Sequence, residues 1–318
     1  MTRVTLIYNP TAGGAGHTGE KFLRLLSDAG YDPVYCSTKE DGYLKSLKNP
    51  GALVVVAGGD GTVRKVAKRL VGSGVPIAVL PLGTANNIAT SLGVSGDARE
   101  LIEGLGSARR VRFDVGQAAG PCGARTFFEG AGLGLFTDVM RSLDARQGRR
   151  AAASAQPGER LAGALRALRE ALRGYRAHDL RVKLDGEDAS GRYLLVEAMN
   201  VRLVGPNLFL APDADPGDGA LDFVLLPEER RGEFEEYLSY RLEGKQEAPY
   251  LEVRRGRRLE FVWDGSVVHF DDGAWPKKEK KRKKAWEKAS KKARRDGPPS
   301  VEITLKEGGL EFLIPRVS

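Results

Sequence analysis

The stretch VVVAGGDGTVRKVA, Val54 to Ala67, constrains the chain more than any other: apolar residues run into a Gly-Gly-Asp-Gly-Thr elbow and then into a basic helix. A short continuous apolar run bounded by turn residues reads as a strand buried on both faces, the kind that belongs to a parallel sheet. The pattern then recurs. Leu53–Ala57 leads into GGDGT and a helix with Val63, Val66, Ala67 and Leu70 on one face; Ile77–Leu80 leads through PLGTANN into a short helix with Ile88 and Leu92. Before them, Val4–Tyr8 and Val34–Cys36 read as strands around a helix with Phe22, Leu25, Leu26 and Ala29 on one face. Strands alternating with helices predict a parallel α/β sheet whose turns gather at the strands' carboxyl ends, where such sheets bind ligands.

From about Phe113 the pattern changes. Strand-like stretches dominate at Arg125–Glu129, Tyr193–Asn200, Leu221–Leu226, Tyr250–Val253, Leu259–Trp263 and Val267–Asp271, predicting an antiparallel sandwich or barrel-like second domain. One helix interrupts them, with Leu161, Leu165, Leu168 and Leu172 on a single face. The end, SVEITLKEGGLEFLIP, alternates apolar residues on either side of Gly308-Gly309 and predicts a hairpin. A chain of 318 residues suits two domains. The expected division is 1–112, rejoined by the final strand at about 306–318, and 113–305.

The formal net charge of +8 is local rather than general. Residues 277–296, KKEKKRKKAWEKASKKARRD, carry +9, which leaves −1 on the rest. Cys36 and Cys122 offer no disulfide framework or metal pair, which suits a reducing compartment. His17, His178 and His269 are scattered and read as surface or capping residues. No apolar run is long enough to span a bilayer, and MTRVTLIYNP lacks a signal-peptide layout, so a cytoplasmic protein is expected.

The elbow sets a chemical puzzle. Glycines permit positive φ and remove Cβ atoms, so backbone N–H groups can approach an anion closely. A helix starting near Thr62 points its positive end at the same spot. An unaccompanied carboxylate there repels phosphate. Asp60 therefore fits if a cation sits between them, or if it takes a proton from an attacking hydroxyl; both are phosphoryl-transfer roles. The alternative is a plain Asp-Gly turn with Thr62 capping the helix. The second turn, with Gly83, Thr84, Asn86 and Asn87, weighs against it, because neighbouring parallel strands ending in polar glycine turns share one crevice. Gly14-Ala-Gly16-His-Thr-Gly19 fits a dinucleotide fingerprint only superficially, since Gly14 lies too far past Tyr8. It also fails as a P-loop, with Glu20 in the lysine position.

In order and spacing, NPTAGG (Asn9–Gly14), GGDGT (Gly58–Thr62) and PLGTANN (Pro81–Asn87) resemble the diacylglycerol kinase and sphingosine kinase-like lipid kinases. The likeness continues through FDVG at Phe113–Gly116, FFEGAGLG at Phe127–Gly134 and APDADPGDGALD at Ala211–Asp222. GGDGT alone also occurs in NAD kinases, so the other segments carry the assignment. The resemblance implies an N-terminal parallel α/β nucleotide-binding domain and a C-terminal antiparallel β-sandwich, with a cleft between them that admits the lipid. It implies ATP and Mg²⁺ as cofactors, nucleotide contacts at Asn9, Gly13, Gly14, Thr38, Gly58, Gly59, Asp60, Gly61, Thr62, Gly83, Thr84 and Asn86, and Asp60 near the metal. It also implies a structural Mg²⁺ held by Asp218 with backbone oxygens of Asp215 and Ala220, and a last strand that returns to the first domain.

Three departures stand out. Arg64 and Lys65 occupy an Asn-Glu position of the family, and Asn86-Asn87 replaces its Asn-Asp. The family's Asp-Gly-Glu, whose glutamate is the general base, reads Asp272-Gly273-Ala274. Asp272 or Asp271 could serve instead, directly or through a water; WDGS, with Asp264, is another register without the glutamate. The reading is thus a lipid kinase with Asp60 and Asp272 or Asp271 as catalytic groups, against a binding protein that has lost turnover and, more distantly, an NAD kinase-like enzyme. Lys277 to Arg295 is expected to clamp the protein on the anionic inner face of a membrane, with Trp286 at the interface and Ala285, Ala289 and Ala293 as a weak apolar stripe. The alternative is a solvated helical excursion. No motif supports specific nucleic-acid binding.

Overall fold

Strand register is what positions the site. The computed structural model describes residues 1–13, 18–146, 157–245, 251–275 and 278–316. Gly14 and Lys277, and Tyr250 at the start of an expected strand, lie outside the described residues. The chain divides into one unit of Met1–Asp114 with Glu307–Ser318 and another of Val115–Lys306.

In the first unit β1 (Thr2–Tyr8), α1 (Gly19–Asp28), β2 (Tyr31–Ser37), β3 (Leu53–Gly58), α2 (Asp60–Leu70), β4 (Ile77–Pro81), α3 (Asn87–Ser91) and α4 (Ala98–Glu103) follow one another. The strands lie in the order β4-β3-β1-β2, all parallel. Tyr8 pairs with Ser37 and with Ala57, and Gly58 with Pro81, so the carboxyl ends of all these strands finish level. Val4, Leu6, Ile7 and Leu53 to Ala57 are buried, as a sheet covered on both faces requires. Thr18 caps α1 by accepting the Lys21 N–H at 3.2 Å, and Phe22, Leu25 and Leu26 form its buried face. The helix α2 begins at Asp60, earlier than its apolar periodicity suggests, with Gly59 as an N-cap that brings no side-chain acceptor.

The second unit begins within β5 (Arg109–Gly120) and continues through β6 (Gly123–Phe127), β7 (Gly130–Gly134), α5 (Leu135–Arg146) and α6 (Pro157–Gly174). Then come β8 (His178–Leu180), β9 (Val182–Leu184), β10 (Glu187–Asp188), β11 (Gly191–Met199), β12 (Leu203–Val204), β13 (Leu208–Phe209), β14 (Leu221–Pro227) and α7 (Arg231–Leu242). After them lie β15 (Val253–Gly256), β16 (Leu259–Val262), β17 (Val268–Phe270), β18 (Gly273–Trp275), α8 (Glu279–Asp296) and β19 (Ser300–Ile314). One sheet runs β15-β14-β11-β7-β17-β18, and its neighbours pair antiparallel. On one face it meets β9, β16 and the start of β19 across a core that holds Phe127, Phe223, Phe261, Trp263, Trp275 and Ile303. On the other face Leu165, Leu168 and Leu172 of α6 and Phe234 and Leu238 of α7 cover it. This is a β-sandwich with helices on one outer face.

Two expectations change. The carboxyl-terminal segment is not a hairpin; β19 is one long strand, because its two halves have different partners. Val301 and Ile303 pair antiparallel with Phe261 and Leu259, whereas Phe312 pairs parallel with Ile77 and stacks on Phe113 at 4.9 Å. The glycines supply a local twist instead of a reversal: Gly308 sits at φ 56° and donates its N–H to Asp114 Oδ1 at 2.5 Å. The other change is at Trp286. Its ring meets Trp263 edge-on at 5.8 Å and lies against Gly265, where a Cβ would come within 3.3 Å of the indole. Ala285 and Trp286 pack on the sandwich core, while Lys280, Lys281, Lys283, Lys284, Lys288, Lys291 and Lys292 are exposed. The indole is therefore part of the protein's own packing. Trp286→Ala is expected to loosen α8 from the sandwich without unfolding it, read as faster amide hydrogen exchange across 279–293 than at β14; unchanged exchange would show that the helix is held by something else.

Candidate functional site

At the level carboxyl edge of the first unit, Asn9 follows β1, Thr38 follows β2, Gly59 to Thr62 follow β3 and Leu82 to Asn86 follow β4. Backbone bonds stitch the edge together: Asn9 N–H to Ala57 O at 2.9 Å, Thr38 N–H to Tyr8 O at 2.9 Å and Leu82 N–H to Gly58 O at 3.1 Å. The Asn9 amide is the hub. Its Oδ1 accepts from Thr11 Oγ1 at 2.8 Å and Thr38 Oγ1 at 3.2 Å, and its Nδ2 donates to Thr62 Oγ1 at 3.2 Å. Asn9, Thr38 and Thr62 are thus brought together. Thr62 lies inside the first turn of α2, buried, and does not cap it.

The two glycine turns touch. A Cβ on Gly59 would lie 2.8 Å from Gly83 Cα, and one on Gly83 would lie 2.5 Å from Gly59 Cα. No side chain fits there. Asn86, in the left-handed conformation at φ 52°, closes its own turn by accepting the Gly83 N–H at 2.8 Å and donating to Gly83 O at 3.0 Å. Asp60 Oδ1 accepts the Ile88 N–H at 3.1 Å. The acid of the first turn therefore caps the helix that follows the second. That contact resolves half of the puzzle, since Asp60 has a structural reason to be present. Its other carboxylate oxygen is a hard donor at the start of α2, where the N-cap supplies no side-chain acceptor. Among the described residues no group of three His, Cys, Asp or Glu side chains could hold a metal. An ion at Asp60 would complete its shell with phosphate oxygens and water, as Mg²⁺ commonly does, and the donor set fits that use. Gly13, at φ 83°, is exposed beyond Asn9.

In the second unit Asp271 and Asp272 part company. Asp271, at φ 52°, turns its Oδ1 to the Phe128 and Glu129 N–H groups at 2.9 and 2.8 Å. Asp272 is exposed just before β18, and Ala274 lies in that strand opposite His269. Asp264 forms a local turn by accepting the Ser266 N–H at 2.8 Å. His269, read from sequence as a surface or capping residue, is instead buried in β17 and bonded to Glu197. Burial alone would push the imidazole toward neutrality. The Glu197 carboxylate, its hydrogen bond and the bond to the Asp271 carbonyl outweigh burial and leave the histidine pKa raised.

The Asp215–Asp222 loop shows a residue that sequence reading missed. Asp218 Oδ1 accepts the Ala220 N–H at 2.9 Å, Asp215 Oδ1 accepts the Gly217 N–H at 2.9 Å, and Asp218 Oδ2 meets Arg255 Nη2 at 2.5 Å. Arg255 lies opposite Asp222 across β14 and β15. The Arg255 guanidinium thus places a positive charge beside Asp218, the carboxylate that the resemblance gives to a metal. Burial, then Asp218, pushes the Asp222 carboxyl up to about 6, while Arg255 pulls it down and Asp213 adds to the rise.

An α/β unit whose parallel strands end level in glycine turns, together with a β-sandwich unit, defines a two-domain class of protein. Residues 3–118 match the diacylglycerol kinase catalytic domain, and residues 137–279 match the YegS C-terminal NAD kinase beta sandwich-like domain. The chain is 28% identical over 260 residues to the diacylglycerol kinase of Bacillus subtilis (strain 168), covering 77% of this chain and 80% of that one. It is 30% identical over 222 residues to the "probable lipid kinase YegS-like" protein of Pseudomonas putida KT2440, covering 68% and 70%. A crystal structure of a diacylglycerol kinase from Bacillus anthracis str. Sterne shares the fold, with a TM-score of 0.66 at 19% identity over 100% of this chain and 98% of that one. The chain belongs to the diacylglycerol kinase and YegS-like lipid kinase family.

Two outcomes test this geometry. Asp60→Asn keeps an oxygen for the Ile88 N–H and is expected to unfold in urea within ~0.5 kcal/mol of the parent, whereas Asp60→Ala loses the cap at a cost of about 1 kcal/mol. For Asp222, a folded pKa of about 6 lies above the ~3.9 of a free aspartate, so the folded state binds the proton more tightly. The side chain is neutral to stability below about pH 4 and becomes destabilising as pH rises through about 6. Asp222→Asn should therefore raise Tm at about pH 7.5 and leave it unchanged at about pH 4, measured by calorimetry.

Proposed function

We propose that the protein is an ATP- and Mg²⁺-dependent lipid kinase that moves the γ-phosphoryl group to the hydroxyl of a diacylglycerol or a similar long-chain alcohol. The observation that carries this reading is the pair of glycine turns clamped together at Gly59 and Gly83 by the Asp60–Ile88 bond, at the level ends of parallel strands. Such an edge presents main-chain N–H groups and the α2 amino end to an anion. Gly58, Gly59 and Gly83 let the turns pack tightly so that their main chain is held in place, Gly61 leaves the start of α2 open, and Asn9, Thr38 and Thr62 hold the edge's shape. Gly13, Gly14 and Thr84 extend the nucleotide contacts by resemblance to the family. When bound, Mg²⁺ would neutralise the charge of the phosphates against the second oxygen of Asp60.

Asp272 is the group assigned to the acceptor hydroxyl. Asp271 turns its Oδ1 inward to the Phe128 and Glu129 N–H groups, and Asp272, the next residue, lies at the solvent-exposed surface where a substrate can reach it. The acceptor oxygen forms a bond to the γ-phosphorus, the bond from that phosphorus to the β–γ bridging oxygen breaks, and ADP leaves. The hydroxyl proton goes to Asp272, replacing the family glutamate that Ala274 cannot supply. The lipid lies in a membrane, and among the described residues no helix is long and apolar enough to cross one. The exposed lysines of α8 would hold the protein on an anionic leaflet, each contributing about 1 kcal/mol near the surface. With Trp286 packed inward, this docking is electrostatic and does not require insertion of the indole.

Vesicles of diacylglycerol in anionic phospholipid, incubated with radiolabelled ATP and Mg²⁺, should yield labelled phosphatidate, in amounts that fall as salt rises. Asp60→Asn should yield none. No labelled lipid above that background, with nucleotide binding intact by calorimetry, would overturn the kinase reading in favour of a binding protein.

A further inference from the structure

The sandwich core holds a charged pair that the kinase reading does not use. Glu197 is 0% and His269 4% exposed, and their side chains meet at 2.7 Å between Oε2 and Nε2. They sit on β11 and β17, the strands that flank β7, and both residues are in register with Gly132. Strands two apart lie roughly 10 Å from each other, so facing side chains meet only across a bare position. Gly132 supplies it: a Cβ there would lie 2.3 Å from Glu197 Oε2. The other imidazole nitrogen, Nδ1, faces the Asp271 carbonyl at 2.9 Å. Both ring nitrogens thus face acceptors, which an imidazole satisfies when both carry protons. The Phe136 ring stands edge-on to His269 at 4.9 Å.

A buried ion pair is costly to maintain and is weak evidence for stability in itself. Here it leads to one place. His269 holds the main chain of Asp271; Asp271 is in the left-handed conformation, where aspartate pays a steric penalty; and its carboxylate is fastened to Phe128 and Glu129. Asp272 is the next residue.

We infer that the buried Glu197–His269 pair is a positioning device for the acceptor side of the reaction, holding the Asp271 backbone so that Asp272 is presented to the substrate hydroxyl. This rests on the assignment of Asp272 as proton acceptor. Glu197 and His269 are positioning residues and touch no substrate. Among the described residues the charged groups that act on the imidazole are Glu197 from β11 and Asp271 from its own loop.

The test compares His269→Gln and the isosteric Glu197→Gln in the vesicle assay. Each is expected to lower kcat roughly ten- to a hundredfold while leaving nucleotide Kd, measured by calorimetry, unchanged. Each should lower kcat per nucleotide-binding site while leaving the KM for ATP unchanged, because only the acceptor side is displaced. A purely structural role predicts fewer nucleotide-binding sites with an unaltered kcat per site, and that result would overturn the inference. Should His269→Gln fail to fold, Glu197→Gln carries the same readouts. If the parent protein phosphorylates no lipid, the kinase reading has failed on its own. Amide exchange then decides: faster exchange at Phe128 and Glu129 in Glu197→Gln supports the positioning role, and unchanged protection overturns it.

Discussion

Contact between two backbones, at Gly59 and Gly83, governs the first unit. Parallel strands β3 and β4 end level, and their turns must then pass each other without side chains between them. A methyl group at either position would meet backbone, which cannot rotate away. Because the turns touch, Asp60 at the start of one helix can reach the N–H of Ile88 in the next. Within the second turn Asn86 folds back on Gly83, closing that turn by itself. An edge built this way is preorganised, so the proposed phosphate binding would leave little ordering to be done.

The second unit uses glycine for a different purpose. In β7 the bare position at Gly132 lets two charged residues from flanking strands join through the middle of a sheet. Burying either charge alone would cost several kcal/mol, so the pair exists as a unit or not at all. The bond from His269 to the Asp271 carbonyl makes this core feature bear on a surface loop. That loop runs into Asp272-Gly273-Ala274, the segment to which the proposed function gives the acceptor hydroxyl. Local support of its carboxylates is what that role would need.

Charge placement follows the same logic of local partners. Arg255 answers Asp218 across a strand pair, beside Asp222, which burial first and Asp218 second push up to about 6. The lysines of α8 have few acidic neighbours and remain in water, while Trp286 and Ala285 fasten the helix from beneath. Exposed lysines fixed on one face form a coherent field, which a flexible tail would not.

How much of this was legible beforehand depended on distance along the chain. Periodicity and glycine turns identified β1 to β4 and α1 to α3, because each signal lies within a few residues of its effect; α4, six residues long, is too short to show a period. The motifs NPTAGG, GGDGT and PLGTANN likewise named the edge residues and, with the later segments, the family. The hairpin expected at Gly308-Gly309 was wrong for a physical reason: alternation and a Gly-Gly pair specify strands and a bend, but the partners of each half are set by distant β16 and β4. The same holds for His269, whose partner lies 72 positions away, and for Asp60, whose amide partner is 28 positions away. The spaced glycines of GAGLG and a histidine two residues before Asp271 were the faint signals available. Sequence alone determined the elements and the chemistry of the turns, since those follow from local sterics. Which acid is a cap, which is a strap and which stays exposed was decided by tertiary structure, because hydrogen-bond partners are assigned only when remote strands come into register.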